Sequence, residues 1–129
     1  MEQPGVGVAA IIRRDGKVLM GKRESGEWCF PGGKLEMHEE LEECAIRETL
    51  EECGVEIKNI KRGPYVNDPN VPKDIHFVTI FTTADHAAKE PETLEEEIGG
   101  WEWFDWDDLP EPLFSPVKKL IELGFDPFD

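Results

Sequence analysis

Residues 32–55 read GGKLEMHEELEECAIRETLEECGV, and the rest of the chain is best understood outward from this stretch. From Glu39 to Cys53 the residues recur with a helical period, and Gly54 stands where a helix C′ residue belongs. At about 100° per residue, Glu48, Glu51 and Glu52 fall within an arc of roughly 100°. Ala45, Ile46, Thr49, Leu50 and Cys53 cover a mostly separate, largely apolar arc that can pack on a sheet. Like charges three and four residues apart repel and destabilise a bare helix. A hard divalent cation compensates them, since Mg²⁺ prefers carboxylate and carbonyl oxygens and shares its shell with phosphate and water. Three Glu on a helix are weak evidence alone, because solvated helix faces are commonly Glu-rich.

On the N-terminal side, Val6–Ile12 is a continuous, β-branched run and is expected to be a strand. Arg14-Asp15-Gly16 is a turn, with Asp-Gly its strongest signal, and Lys17–Lys22 is the return strand of a hairpin. Trp28-Cys29-Phe30 is short and apolar and stops at Pro31-Gly32-Gly33. On the C-terminal side, Val55–Ile60 alternates as a half-buried strand does. Asp68–Lys73, with two prolines, is expected to be a loop, and Ile75–Thr83 is the best strand in the chain. Glu90–Gly100 reads as an acidic loop, Trp101–Phe104 as a strand, and Asp107–Pro110 as a short helical turn. Pro116–Leu123 reads as a closing helix, with Pro116 in its first turn and Gly124 at its end. Strands and helices intermix, so the residues themselves imply α/β or α+β with a mixed sheet. Without a repeat, a linker or a compositional break, residues 1–129 are expected to form a single domain.

Charge narrows the function. The chain carries 29 Asp and Glu against 14 Lys and Arg, a net charge of −15. Such an excess argues against coating a nucleic-acid polymer, where Lys and Arg neutralise phosphates. Val8–Ile12 is the longest apolar run and is far short of the ~20 residues that span a bilayer. Met1-Glu2-Gln3-Pro4 begins no leader-like pattern, so a cytoplasmic location with no membrane partner is expected. Four Trp and seven Phe supply a real core. Cys29, Cys44 and Cys53 are odd in number and form no C-x-x-C, so buried free thiols are expected.

The spacing of the central stretch is specific. Gly33, five residues, Glu39, seven residues, Arg47-Glu48, two residues, Glu51-Glu52, one residue, Gly54 and Val55 make a 23-residue pattern. In this it resembles the box of the Nudix hydrolase family. Thr49 stands where a bulky aliphatic is usual, and His38 where many relatives carry Gly. The likeness implies a Nudix α/β/α sandwich with a central mixed β-sheet. It also implies Mg²⁺ or Mn²⁺, two or more ions in the active complex, held by Glu51 and Glu52. The Gly32 carbonyl often joins them, and Glu48 is a metal-site carboxylate and in some members the general base. Arg47 and Glu39 usually hold the helix and loop together, a role that suits a guanidinium able to satisfy two carboxylate edges. Arg23 matches a family arginine that touches substrate phosphate, with a surface Arg beside Glu24 as the local alternative. Gly33 and Lys34 are expected beside it at the substrate. A further carboxylate is expected from Glu95, Glu96 or Glu97, with Glu97 taken as the metal ligand.

Val18–Arg23, Trp101-Glu102-Trp103 and the ending Gly124–Phe128 look like the nucleoside-triphosphate diphosphatase branch, which includes a thiopurine-nucleotide hydrolase and is often homodimeric. The implied reaction is cleavage of a nucleoside triphosphate to the monophosphate and pyrophosphate. Hydrolysis of ADP-ribose or another nucleoside-diphosphate derivative is the alternative. A non-catalytic binding module would be expected to have lost Glu51 or Glu52. An acidic partner surface at Trp101–Asp108 is the third reading, disfavoured by that stretch's strand-like alternation. Trp28, Phe30, Phe77, Trp101 and Trp103 are available to stack on a base, most of them expected to be core.

Overall fold

The computed structural model describes residues 2–129; Met1, part of the N-terminal stretch read for a leader, lies outside them. The Asp-Gly signal produces the hairpin it predicts. Strand β1 (Gly5–Arg14) returns as β2 (Lys17–Arg23), with Arg14 opposite Lys17. Asp15 and Gly16 both take positive φ, 51° and 78°, as a two-residue turn matched to strand twist requires. Then come β3 (Trp28–Cys29), β4 (Gly32–Lys34), helix α1 (Leu41–Cys53), β5 (Glu56–Asn70), β6 (Ile75–Ala88), β7 (Ile98–Asp105) and helix α2 (Ser115–Glu122).

The strands form one sheet of order β3-β2-β1-β6-β5, with β4 also paired to β1 and β7 to β2. β1 and β6 run parallel while the other pairs are antiparallel, so the sheet is mixed. Alternation along β1 feeds two cores. Val8, Ala10 and Ile12 face α1 and pack with Leu19, Cys44, Ala45, Cys53 and Val55. Ile11 faces the opposite way and packs with Phe81, Val117 and Leu120 under α2. Each large apolar side chain buried this way contributes roughly 1.5–3 kcal/mol. The result is the helix–sheet–helix sandwich expected above. All three cysteines are buried free thiols, also as expected, and burial raises each of them.

Several expectations need correction. β5 runs on to Asn70, so Asp68–Asn70 belongs to a strand and only Val71–Lys73 forms a 3₁₀ turn. Pairing with β6 as far as Asn70–Ile75 overrides Pro69, which sits on an edge strand where a missing N–H costs little, while Pro72 falls in the 3₁₀ turn. β4 has no sequence periodicity and exists because the edge of β1 offers it partners, Gly33 opposite Val8 and Gly32 opposite Ala9. Asp107–Pro110 is not helical; Asp108 N–H simply closes a turn onto the Asp105 carbonyl. On α1, Ile46 and Leu50 are exposed, at 39% and 42%, and Glu52 is buried instead. The helix is rolled so that its carboxylates meet β4.

His38, just before α1, sits at φ 67° and is exposed. A positive φ strains a residue with a Cβ, so Gly is the residue this position favours. His38→Gly is therefore expected to raise stability by about 0.5 kcal/mol, net of the extra freedom it gives the unfolded chain, measured by urea unfolding.

Candidate active site

Helix α1 is held at both ends. Glu40 N–H donates to Glu43 Oε1 at 2.8 Å, and Gly54, at φ 72°, turns its N–H onto the Leu50 carbonyl. This fixes the face that meets β4. Gly33 points toward α1, and a Cβ there would overlap the Glu48 carboxylate, so that carboxylate lies directly against the glycine backbone. One turn on, Glu52 Oε1 accepts the Gly32 N–H at 2.9 Å.

Arg47 binds this group together. Its Nε and Nη2 grip both oxygens of Glu39 at 2.7 and 3.0 Å, its Nη1 donates to Glu48 Oε1 at 2.8 Å and Glu51 Oε2 at 3.3 Å, and Nη2 reaches the Lys34 carbonyl at 3.1 Å. One cation thus links the loop before α1 to successive turns of the helix. The guanidinium holds the Glu39 carboxyl down at about 2. Glu52 lies at the other extreme. Burial pushes its carboxyl from 4.5 up to about 8; the Gly32 N–H opposes this, and the charges of Glu48 and Glu95 add to it. Glu95 is itself raised, by burial first and then by Glu48, Glu97 and Glu51. Of the acidic loop, Glu95 bears on Glu52 through its charge, and Glu97 in turn on Glu95; the Glu97 carbonyl accepts the Glu24 N–H.

A divalent cation fits this donor set chemically. Glu52 is a buried carboxylate with one backbone donor and further negative charges around it, the imbalance a hard cation relieves. Among the described residues no three carboxylates already stand at metal-binding spacing, since Glu48 and Glu51 are engaged by Arg47.

The opposite face of the sheet carries a cleft of about 490 Å³, which reaches Gly32, Gly33 and Lys34 at one end. That is a volume suited to a small organic ligand. Arg23 lines it, its guanidinium carbon 4.0 Å from the centroid of the Phe114 ring, which places its side chain in the cleft. Phe30 and Phe77 also line it, but the tryptophans do not. Trp28 packs edge-on to Phe104, the Trp101 ring lies against Gly21, and Trp103 sits beneath Arg14. These tryptophans are structural, as most of the aromatic set was expected to be. Sequence reasoning missed Phe114 and Asp68 in the cleft; the prolines around Asp68 had disguised its strand.

With this geometry in view, residues 1–123 match the NUDIX domain family, and the chain belongs to the Nudix hydrolase family. It is 34% identical to an ADP-ribose pyrophosphatase of Methanocaldococcus jannaschii, over 95% of this chain and 68% of that protein. It is 31% identical to the NAD-capped RNA hydrolase NudC of Klebsiella pneumoniae, over 89% of this chain. The chain spans 45% of the length of that relative. A MutT NUDIX hydrolase from Burkholderia pseudomallei superposes with TM-score 0.87 at 34% identity, covering 94% of this chain and 98% of that one. These relatives establish the family and do not single out its triphosphate diphosphatase branch. Among the described residues, no helix is long and apolar enough to cross a membrane.

Proposed function

We propose that the chain is a divalent-metal-dependent pyrophosphohydrolase that cuts a nucleotide between its α- and β-phosphorus and releases a nucleoside monophosphate. The observation that carries this reading is the meeting of Glu48 and Glu52 with Gly32 and Gly33, where β4 separates the carboxylates from a nucleoside-sized cleft. In it Glu51, Glu52, Glu48 and the Gly32 carbonyl would hold Mg²⁺ or Mn²⁺, two or more ions, with a further carboxylate from Glu97 or its neighbour Glu95. Bound there, such ions neutralise phosphate charge and lower the pKa of the attacking water.

The chain's own groups do the rest. Glu48 takes the proton from water as general base, its carboxylate oriented by Arg47 at 2.8 Å. Arg47 is a positioning residue, since its guanidinium is committed to Glu39, Glu48, Glu51 and the Lys34 carbonyl. Arg23 and Lys34 offset the protein's negative charge at the cleft mouth and take the phosphates, and Gly33 lets substrate approach the backbone. Contact with the Phe114 ring restrains the Arg23 guanidinium, which reduces the entropy lost when it binds an anion.

A nucleoside triphosphate is the first substrate reading, supported by the branch-like stretches 18–23, 101–103 and 124–128. ADP-ribose is the second, supported by the Methanocaldococcus jannaschii relative. A substrate panel separates them. Release of pyrophosphate from triphosphates, with little ribose 5-phosphate from ADP-ribose, is the expected result; the reverse ratio establishes the second reading. No turnover of either with Mg²⁺ or Mn²⁺ refutes both. Light scattering of the same sample tests the homodimer, which we also propose on the branch likeness.

A further inference from the structure

At the end of the cleft remote from Gly32–Lys34 stands one acidic side chain, Asp68 of β5. Its carboxylate is only 16% exposed, and it is not free to turn. Ser115 Oγ donates to Oδ1 at 2.7 Å, and Lys119 Nζ lies 3.0 Å from the same oxygen. Lys119 is itself anchored on the Asn67 carbonyl at 2.8 Å. Both donors come from α2, and among the described residues Oδ2 has no protein partner. An acceptor of fixed orientation therefore faces a ligand-sized space.

Its position suits the far end of a nucleotide. β4, which carries Gly32–Lys34, is separated from β5 by β1 and β6. Three interstrand steps amount to about 14 Å, enough to lay a nucleotide from its diphosphate to the edge of its base. Val66, two residues before Asp68, is buried in the core beneath α2, so Asp68 shares the cleft face of the sheet. Phe77, opposite Asp68 in the β5–β6 ladder, supplies an apolar surface for the ring.

We infer that Asp68 is a specificity-determining residue whose Oδ2 accepts a hydrogen bond from an exocyclic amino group of the substrate's base. The inference rests on the nucleotide-hydrolase reading and adds the class of base. A carboxylate can only accept, so a base with a carbonyl at this position brings two acceptors together and leaves both without a donor. Inosine is the discriminating probe, because it lacks both the 6-amino group of adenine and the 2-amino group of guanine.

Asp68→Asn makes the test directional. Ser115 and Lys119 both require an oxygen at the δ1 position, so the amide NH₂ must occupy the place of Oδ2. The substitution exchanges an acceptor for a donor without changing shape. For the wild-type chain with Mg²⁺, kcat/KM for the better of ATP and GTP should exceed that for ITP by about tenfold or more, and Asp68→Asn should remove or invert this ratio. Calorimetric titration with AMP, GMP and IMP reads the same preference without turnover. Asp68→Ala, which removes the carboxylate, should also erase the ratio. Equal use and equal binding of the inosine compounds by the wild-type chain overturns the inference, as does an unchanged ratio in a folded Asp68→Asn. An amino preference in monophosphate binding with no hydrolysis of any nucleotide leaves Asp68 its role and refutes the hydrolase reading instead.

Discussion

Glu52→Gln should lose about a thousandfold or more in turnover and yet unfold at a higher temperature than the wild-type chain when divalent cations are chelated. Both effects follow from one buried carboxylate. The amide still accepts the Gly32 N–H, so the local backbone is preserved, but it has lost the charge proposed to hold the cation. The stability gain has a definite pH window. Glu52 has an ordinary value of 4.5 and is pushed up to about 8 in the folded chain. Below 4.5 it is protonated folded or unfolded, and the group contributes no pH dependence. Between 4.5 and about 8 the unfolded chain gives up the proton while the folded chain retains it, so metal-free stability falls as pH rises. Above about 8 the penalty is constant, on the order of a few kcal/mol. Thermal unfolding in EDTA at pH 5 and pH 8.5 should show a fall for the wild-type chain that Glu52→Gln lacks. Added Mg²⁺ should then stabilise the wild-type chain much more than the variant. Wild-type-like turnover from Glu52→Gln, or from Glu51→Gln, would refute the assignment of these residues.

Gly32→Ala and Gly33→Ala should fail in opposite ways although they are neighbours on one strand. A Cβ on Gly32 meets main chain, the Val8 carbonyl and the Ala9 Cα, neither of which can yield without parting β4 from β1. Overpacking against backbone of this kind should cost about 3 kcal/mol, read from the urea midpoint. A Cβ on Gly33 meets the far end of the Glu48 side chain, which can swing aside. Gly33→Ala should therefore stay within about 1 kcal/mol of the wild-type stability while kcat falls about a hundredfold, since the proposed base leaves its position. Equal destabilisation by both, or full activity from Gly33→Ala, would show that the two faces of β4 are not divided in this way.

The nearer a contact lies along the chain, the more legible it was. The Asp15-Gly16 hairpin, the body of α1, its Gly54 terminus and helix α2 were all readable because turn chemistry and helical period act over a few residues. The Arg47 network with Glu39, Glu48 and Glu51 was readable for the same reason, as one motif within one helix and its entrance. Glu95 couples to Glu52 through a loop whose path depends on what it packs against, which spacing alone does not encode.

Local pattern thus settled the family, the hairpin and the course of α1. It could not settle which side of α1 is inside. Ile46 and Leu50 are exposed while Glu52 is buried because contacts with a distant strand, β4, set the roll of the helix against its own hydrophobicity. Nor could it find β4 or place Asp68 in the cleft. Both depend on pairing between residues far apart in sequence, Gly33 with Val8 and Asp68 with Ser115, whose energies arise only when the closed sheet brings them together.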